Sequence, residues 1–259
     1  MPYTISHAAV VLPLARLLAR WRVLSAVVIG SMVPDFRVFF LWPVTRFETH
    51  SLTALVTFCL PVGLVTYWTF QLVVKPSLME ILPDPAYVRW LPLAAPAPLL
   101  RVKSWLLAAS GLLVGAMTHL AVDAFTHDGA RGVRMFPALD EPVFDIGRRH
   151  VVGVVLIQDL GSLFGLVVVV AIVAIGLRGG THVAPSQRVL AQTERRRWVA
   201  AYVAAMLILS AAFYMAAQEP DEHRIGAHIY QAAVAVLRGL AAAGLGVSLA
   251  LYARLKESR

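Results

Sequence analysis

Five stretches of the chain stay apolar for long enough to cross a bilayer: residues 52–74, 104–125, 151–177, 198–217 and 229–255. About 20 apolar residues wound as a helix cover the hydrocarbon core, and a helix satisfies its own backbone hydrogen bonds in lipid. The pattern predicts an all-α, polytopic transmembrane helix bundle. Residues 1–33 are apolar too, but Arg16, Arg20 and Arg22 interrupt them, and a cation at the bilayer centre costs about 2.5–3.5 kcal/mol. That spacing predicts two short helices, 5–20 and 21–33, folded as a hairpin into the bundle; a single sixth span is the alternative. The basic residues lie inside the apolar stretch and no small-residue cleavage pattern follows, so the segment does not read as a signal peptide.

Composition agrees with the pattern. With 59% hydrophobic and 15% charged residues and a mean hydropathy of +0.71, the chain is no ordinary soluble domain. The single cysteine, Cys59, excludes an intrachain disulfide and a cysteine-built zinc site. A net charge of +8 invites the thought of nucleic acid, but the basic residues are scattered through loops without interleaved aromatics. Membrane lipid headgroups are the better partner, and Arg195, Arg196 and Arg197 are expected to anchor the fourth span to anionic lipid.

Loop charges also orient the chain. Residues 178–197 carry Arg178, Arg188, Arg195, Arg196 and Arg197, and the tail carries Arg254, Lys256 and Arg259, whereas the 218–228 loop has only Arg224. By the positive-inside rule the 178–197 segment and the C-terminus are cytoplasmic. Counting spans backwards puts the 127–150 loop outside, the 75–103 loop inside and the 34–51 loop outside. The organisation expected is a membrane core over 1–177, a basic cytoplasmic linker over 178–197 and two C-terminal transmembrane helices over 198–259.

Against this apolar background the polar residues stand out. His119, Asp123 and His127 recur at i, i+4 and i+8, on one face of a helix. Ionisable groups at membrane depth are rare and generally serve a partner, a metal or a proton path. Under the hairpin reading His7, Asp35 and His50 emerge at the same side, so His7, Asp35, His50, His119, Asp123 and His127 converge. Each has a plainer reading: Pro34-Asp35 as a turn, Thr49 or Ser51 as a helix cap, His119 and Asp123 as a pair that only locks helices together. Asp159 and Arg238 also sit in apolar runs, and Gln158 or Asp159 can reach the polar cluster. His150, His182, His223 and His228 read as solvated.

Met1-Pro-Tyr-Thr-Ile-Ser-His7, Ile29-Gly-Ser-Met-Val-Pro-Asp35-Phe, Thr49-His50-Ser51, Phe58-Cys-Leu-Pro61 and Gly115-Ala-Met-Thr-His119-Leu-Ala-Val-Asp123-Ala-Phe-Thr-His127 together resemble the bacterial family filed as domain of unknown function 4184. The resemblance spans roughly residues 1–165. The pattern is also similar to inner-membrane proteins labelled membrane-bound metal-dependent hydrolases and, more distantly, to zinc-dependent phospholipase C enzymes. It implies His7, Asp35, His50, His119 and Asp123 as metal-site positions. Those hydrolases often carry His-Arg-Gly-Phe-Thr-His-Ser, where this chain has Thr45-Arg46-Phe47-Glu48-Thr49-His50-Ser51; with the first histidine missing, Glu48 is the substitute oxygen ligand or base.

Nitrogen and carboxylate donors suit a divalent metal: zinc first, with manganese or iron as alternatives. His50, His119 and Asp123 are expected to bind directly and His7 to complete the site. Asp35 is expected to bind or bridge, and with Glu48 to act catalytically. His127, Gln158 and Asp159 would support from behind. Three functions follow: a hydrolase of a membrane-proximal ester or phosphoester, a metal or ion carrier, or a purely structural polar cluster.

Overall fold

The computed structural model describes residues 4–20, 22–40, 44–146, 149–178, 188–217 and 225–257. Five of its helices are long and apolar enough to cross a membrane: Leu55–Ile81, Val102–Thr126, Gly153–Arg178, Gln192–Ala216 and His228–Glu257. Each overlaps one of the five apolar runs, and the all-α expectation holds. The centre of the linker, with His182, and the loop containing His223 lie outside the described residues.

In chain order, a 3-10 turn over Thr4–His7 leads into α1 (Ala8–Val11), α2 (Ala15–Arg20) and α3 (Leu24–Gly30). A further 3-10 stretch, Val33–Phe39, carries Asp35 and precedes α4 (Phe47–His50). The first long span is composite: a π-helical turn over Leu55–Cys59, α5 (Leu60–Thr69), a second π turn over Phe70–Val74, then α6 (Lys75–Ile81). There follow α7 (Asp84–Ala94), α8 (Val102–Thr126), α9 (Arg131–Met135), strands β1 (Pro142–Ile146) and β2 (Arg149–Val152), α10 (Gly153–Arg178), α11 (Gln192–Ala216) and α12 (Ile225–Glu257).

The chain divides into two compact units, Met1–Trp68 with Pro98–Ile175, and Thr69–Ala97 with Gly176–Arg259. In the first, the N-terminal segment is the hairpin rather than a sixth span. It reverses because Val23 N–H reaches the Leu18 carbonyl (3.0 Å) and Arg22 N–H reaches Ala19 (2.9 Å), with Arg22 left-handed at φ 58°. That is a Schellman helix stop, a place where glycine is usual.

α3 then crosses α8 with backbones nearly touching. A Cβ on Gly30 would run into the backbone of Leu112, and one on Gly115 into the Val27 carbonyl and the Ser31 amide. Gly111, Gly115, His119 and Asp123 are all buried along α8 at intervals of four. The small residues bring α3 in, and the polar ones continue the same stripe to its end. The outer faces remain apolar: Leu160, Leu163, Phe164, Val167 and Val170 of α10 are exposed, as lipid contact requires.

Residues 127–150, expected to be loop, contain α9 and most of a β-hairpin. β1 pairs antiparallel with β2, Asp145 opposite His150, with an irregularity between Pro142 and Phe144. Strands of five and four residues broken by charges show too little alternation to declare themselves.

In the second unit α11 and α12 pack closely, with Gly239 against Ser210 and Gly244 beside Tyr202. Ser77 of α6 donates to the Ser248 carbonyl of α12 (3.0 Å). At the other end Glu80 accepts the Leu190 N–H (2.9 Å) and Asp84 accepts from Arg195 (2.6 Å). Arg195 is therefore buried in a protein contact instead of reaching lipid; Arg196 and Arg197 are exposed.

Candidate metal centre

His119 is completely buried, and its two nitrogens face different partners. Nδ1 lies 2.8 Å from the Ser31 carbonyl at the end of α3. A carbonyl only accepts, so Nδ1 carries the proton and Nε2 presents a lone pair. His50 is fixed in the same way. The Thr49 hydroxyl lies 3.3 Å from the Arg46 carbonyl, to which it donates, and 2.7 Å from His50 Nδ1, from which it accepts. Nε2 is again the free lone pair.

The two lone pairs point at each other. His50 Nε2 and His119 Nε2 are 3.3 Å apart, and Asp123 Oδ2 lies 3.4 Å from the first and 3.5 Å from the second. Two neutral imidazoles facing lone pair to lone pair repel unless a cation, proton or metal, lies between them. Zinc bonds to nitrogen and oxygen of about 2.0–2.2 Å in a tetrahedron require donor atoms roughly 3.3–3.6 Å apart. The triangle has that size. Asp35 Oδ1, 3.4 Å from His50 Nε2 and 3.8 Å from His119 Nε2, stands beside it.

His7 stacks on His119 with ring centroids 3.7 Å apart, and its Nε2 is 3.6 Å from Asp123 Oδ1. Both nitrogens of His7, and Asp123 Oδ1, are buried without a hydrogen-bond partner among the described residues. Unpartnered buried donors and acceptors are costly, and a cation bound among them would satisfy these atoms. Burial, with the neighbouring His119 helping, pushes the His7 imidazole down to about 4. Burial alone would raise Asp35, but a protonated His50, donating through Nε2, and positive charge on His119 and His7 outweigh it and hold the carboxyl below its ordinary value. Buried groups of His7, His119 and Asp123, and of Asp35, His50 and His119, are thus close enough to hold a metal ion.

The remaining candidates divide. His127, the residue that ends α8, has Nδ1 3.4 Å from Asp123 Oδ1 and flanks the cluster. Glu48 does not join it: its carboxylate is exposed and accepts from Thr45 N–H (2.7 Å) and Oγ1 (2.6 Å). The short helix α4 turns Thr49 and His50 inward and Phe47 and Glu48 outward. Asp159 is exposed on α10 and Gln158 is half-buried. α10 meets the core one turn further on, where Ser6 Oγ donates to the Ser162 carbonyl (2.7 Å) and Gly165 closes on Ser6. That contact positions the residue next to His7.

Arg46 is the member the sequence reading overlooked. Its Nη2 is 2.7 Å from Asp123 Oδ2, the oxygen that His50 and His119 share. The signal was available, since a helix starting near residue 46 puts positions 46, 49 and 50 on one face.

No curated protein and no solved structure matches the chain. A family model does, over residues 1–249, well beyond the stretch of about 165 residues that carries the recognisable motifs. The chain therefore belongs to the family described as Domain of unknown function (DUF4184).

Proposed function

We propose that the protein is a metal-dependent hydrolase embedded in the membrane, acting on an ester or phosphoester close to the bilayer. The observation that carries this reading is the triangle of His50 Nε2, His119 Nε2 and Asp123 Oδ2, with edges of 3.3, 3.4 and 3.5 Å. Those three residues would hold the ion, with Asp35 as a further ligand and His7 completing the set. Zinc suits the donors best, with manganese and iron as alternatives. A divalent metal in such a site supplies a Lewis acid and makes water nucleophilic at neutral pH.

The chain's own residues do the rest. Asp35, ionised and in contact with His50, is placed to accept a proton. His7, neutral above about pH 4, offers a nitrogen lone pair. The Ser31 carbonyl and the Thr49 hydroxyl lock the two imidazoles in the tautomer that a metal needs. On this reading the protein sits in a bacterial cytoplasmic membrane with the site toward the extracytoplasmic side, which the resemblance and the loop charges support.

A carrier is the second reading, favoured by the enclosure of the cluster, since the side chains of His7, Asp35, His50, His119 and Asp123 are all at most 7% exposed. To decide, detergent-purified protein is supplied with zinc or manganese and tested on phosphoester and carboxylic ester panels. Turnover that chelation and Asp35→Asn both abolish supports the hydrolase. Absence of turnover, with metal flux into vesicles that Asp123→Asn abolishes, overturns it in favour of transport.

A further inference from the structure

Arg46 is the outermost member of the cluster: its side chain is 38% exposed, against 7% for the carboxylate it grips. It also holds the wrong atom for a bystander. Asp123 Oδ2 is the one carboxylate oxygen that faces His50 and His119 together, and Arg46 reaches it at 2.7 Å. Guanidinium and metal cannot both have full use of that oxygen, because they would stand as two cations a few ångströms apart.

Metal binding requires neutral imidazoles, and with these Asp35 and Asp123 against Arg46 leave the cluster one negative charge. A divalent ion held there leaves one positive charge. A loaded, enclosed site of that sign favours an anion at its mouth, where Arg46 stands.

Resting on the metal reading above, we propose that Arg46 is a latch and then a specificity residue. It neutralises Asp123 while the site is empty, yields Oδ2 when metal binds, and turns its fork of N–H donors toward an anionic phosphoryl group. The substrate class is accordingly a phosphoester and not a neutral carboxylic ester. Arginine is suited to the task because its planar fork matches two phosphate oxygens at once, which a lysine does not.

The test uses the full chain in phosphatidylcholine nanodiscs, titrated with zinc against a chromophoric chelator and then, zinc-loaded, with inorganic phosphate. Arg46→Ala is expected to bind zinc about tenfold more tightly than the wild type and phosphate about tenfold more weakly, the scale of one charge-assisted hydrogen bond. Arg46→Lys keeps the competing charge but not the fork, so its zinc affinity stays near wild type while phosphate binding still falls. Including phosphatidic acid in the discs identifies the source of the phosphoryl group. Competition with inorganic phosphate points to a lipid headgroup and its absence to a soluble phosphoester, and either outcome supports the latch. Zinc affinity unchanged in Arg46→Ala, or phosphate uptake indifferent to residue 46, overturns the inference and leaves the metal site standing. No zinc binding in any variant overturns both.

Discussion

The histidines of the cluster are useful because each has one nitrogen already committed. His119 gives Nδ1 to Ser31 and His50 gives Nδ1 to Thr49, so neither ring can rotate away from the other. His7 has no such anchor, and its depressed pKa ties it to pH. A histidine whose folded pKa lies below its unfolded value contributes stability that is complete above about 6.5 and lost as pH falls toward about 4. Asp35, also depressed, loses its contribution only as pH falls below its unfolded value, so both groups favour the fold at neutral pH. Thermal unfolding in detergent is expected to show destabilisation on the order of 3 kcal/mol between pH 6.5 and 4, and His7→Gln to flatten it. A pH-independent midpoint in the wild type would contradict this. At the hairpin turn, Arg22→Gly removes a left-handed non-glycine residue and is expected to raise stability by about 1 kcal/mol in the same assay. The metal-site candidates were legible because the helical period lines up His119, Asp123 and His127. Arg46 is harder to single out, since an arginine ahead of a short helix resembles any topology charge until the face it shares with Thr49 and His50 is followed, and the same turn of α4 directs Glu48 outward.

At the scale of elements the cluster depends on how closely α3 lies against α8. Gly115→Ala forces a methyl into the Val27 carbonyl and the Ser31 amide, which should cost about 1–3 kcal/mol. It also moves Ser31, the anchor of His119, so metal affinity should fall with it. Gly161 on α10 provides the control: a Cβ there meets nothing, and Gly161→Ala is expected to be neutral or to stabilise by up to about 1 kcal/mol through helix propensity. Equal effects from the two substitutions would mean that the close crossing does not hold the site together. The long helices were readable because apolar runs of this length have few alternatives. The stop at Arg22 followed from basic residues that a single span would have to bury. The short hairpin of β1 and β2 and the amphipathic α7 were hidden, since neither has length enough for its period to rise above the surrounding charges.

For the whole molecule, family membership reaches residue 249 and so takes in the C-terminal helices that the motifs leave unmarked. Charge is what speaks for their orientation. A reporter fused after Glu257 is expected to be cytoplasmic and one inserted near Gly129 extracytoplasmic, as the arginine-rich 178–197 segment requires; the opposite pattern would turn the site to the other side. The central claim, that buried histidines and aspartates gather to hold a metal, is tested most directly by weighing the metal itself. Plasma mass spectrometry on detergent-purified protein, alongside a folded His119→Ala/Asp123→Ala variant, should find near-stoichiometric zinc, manganese or iron in the wild type and none in the variant. Protein that stays metal-free after reconstitution, or a variant that keeps its metal, would contradict the account and reduce the cluster to a buried network that only ties helices together.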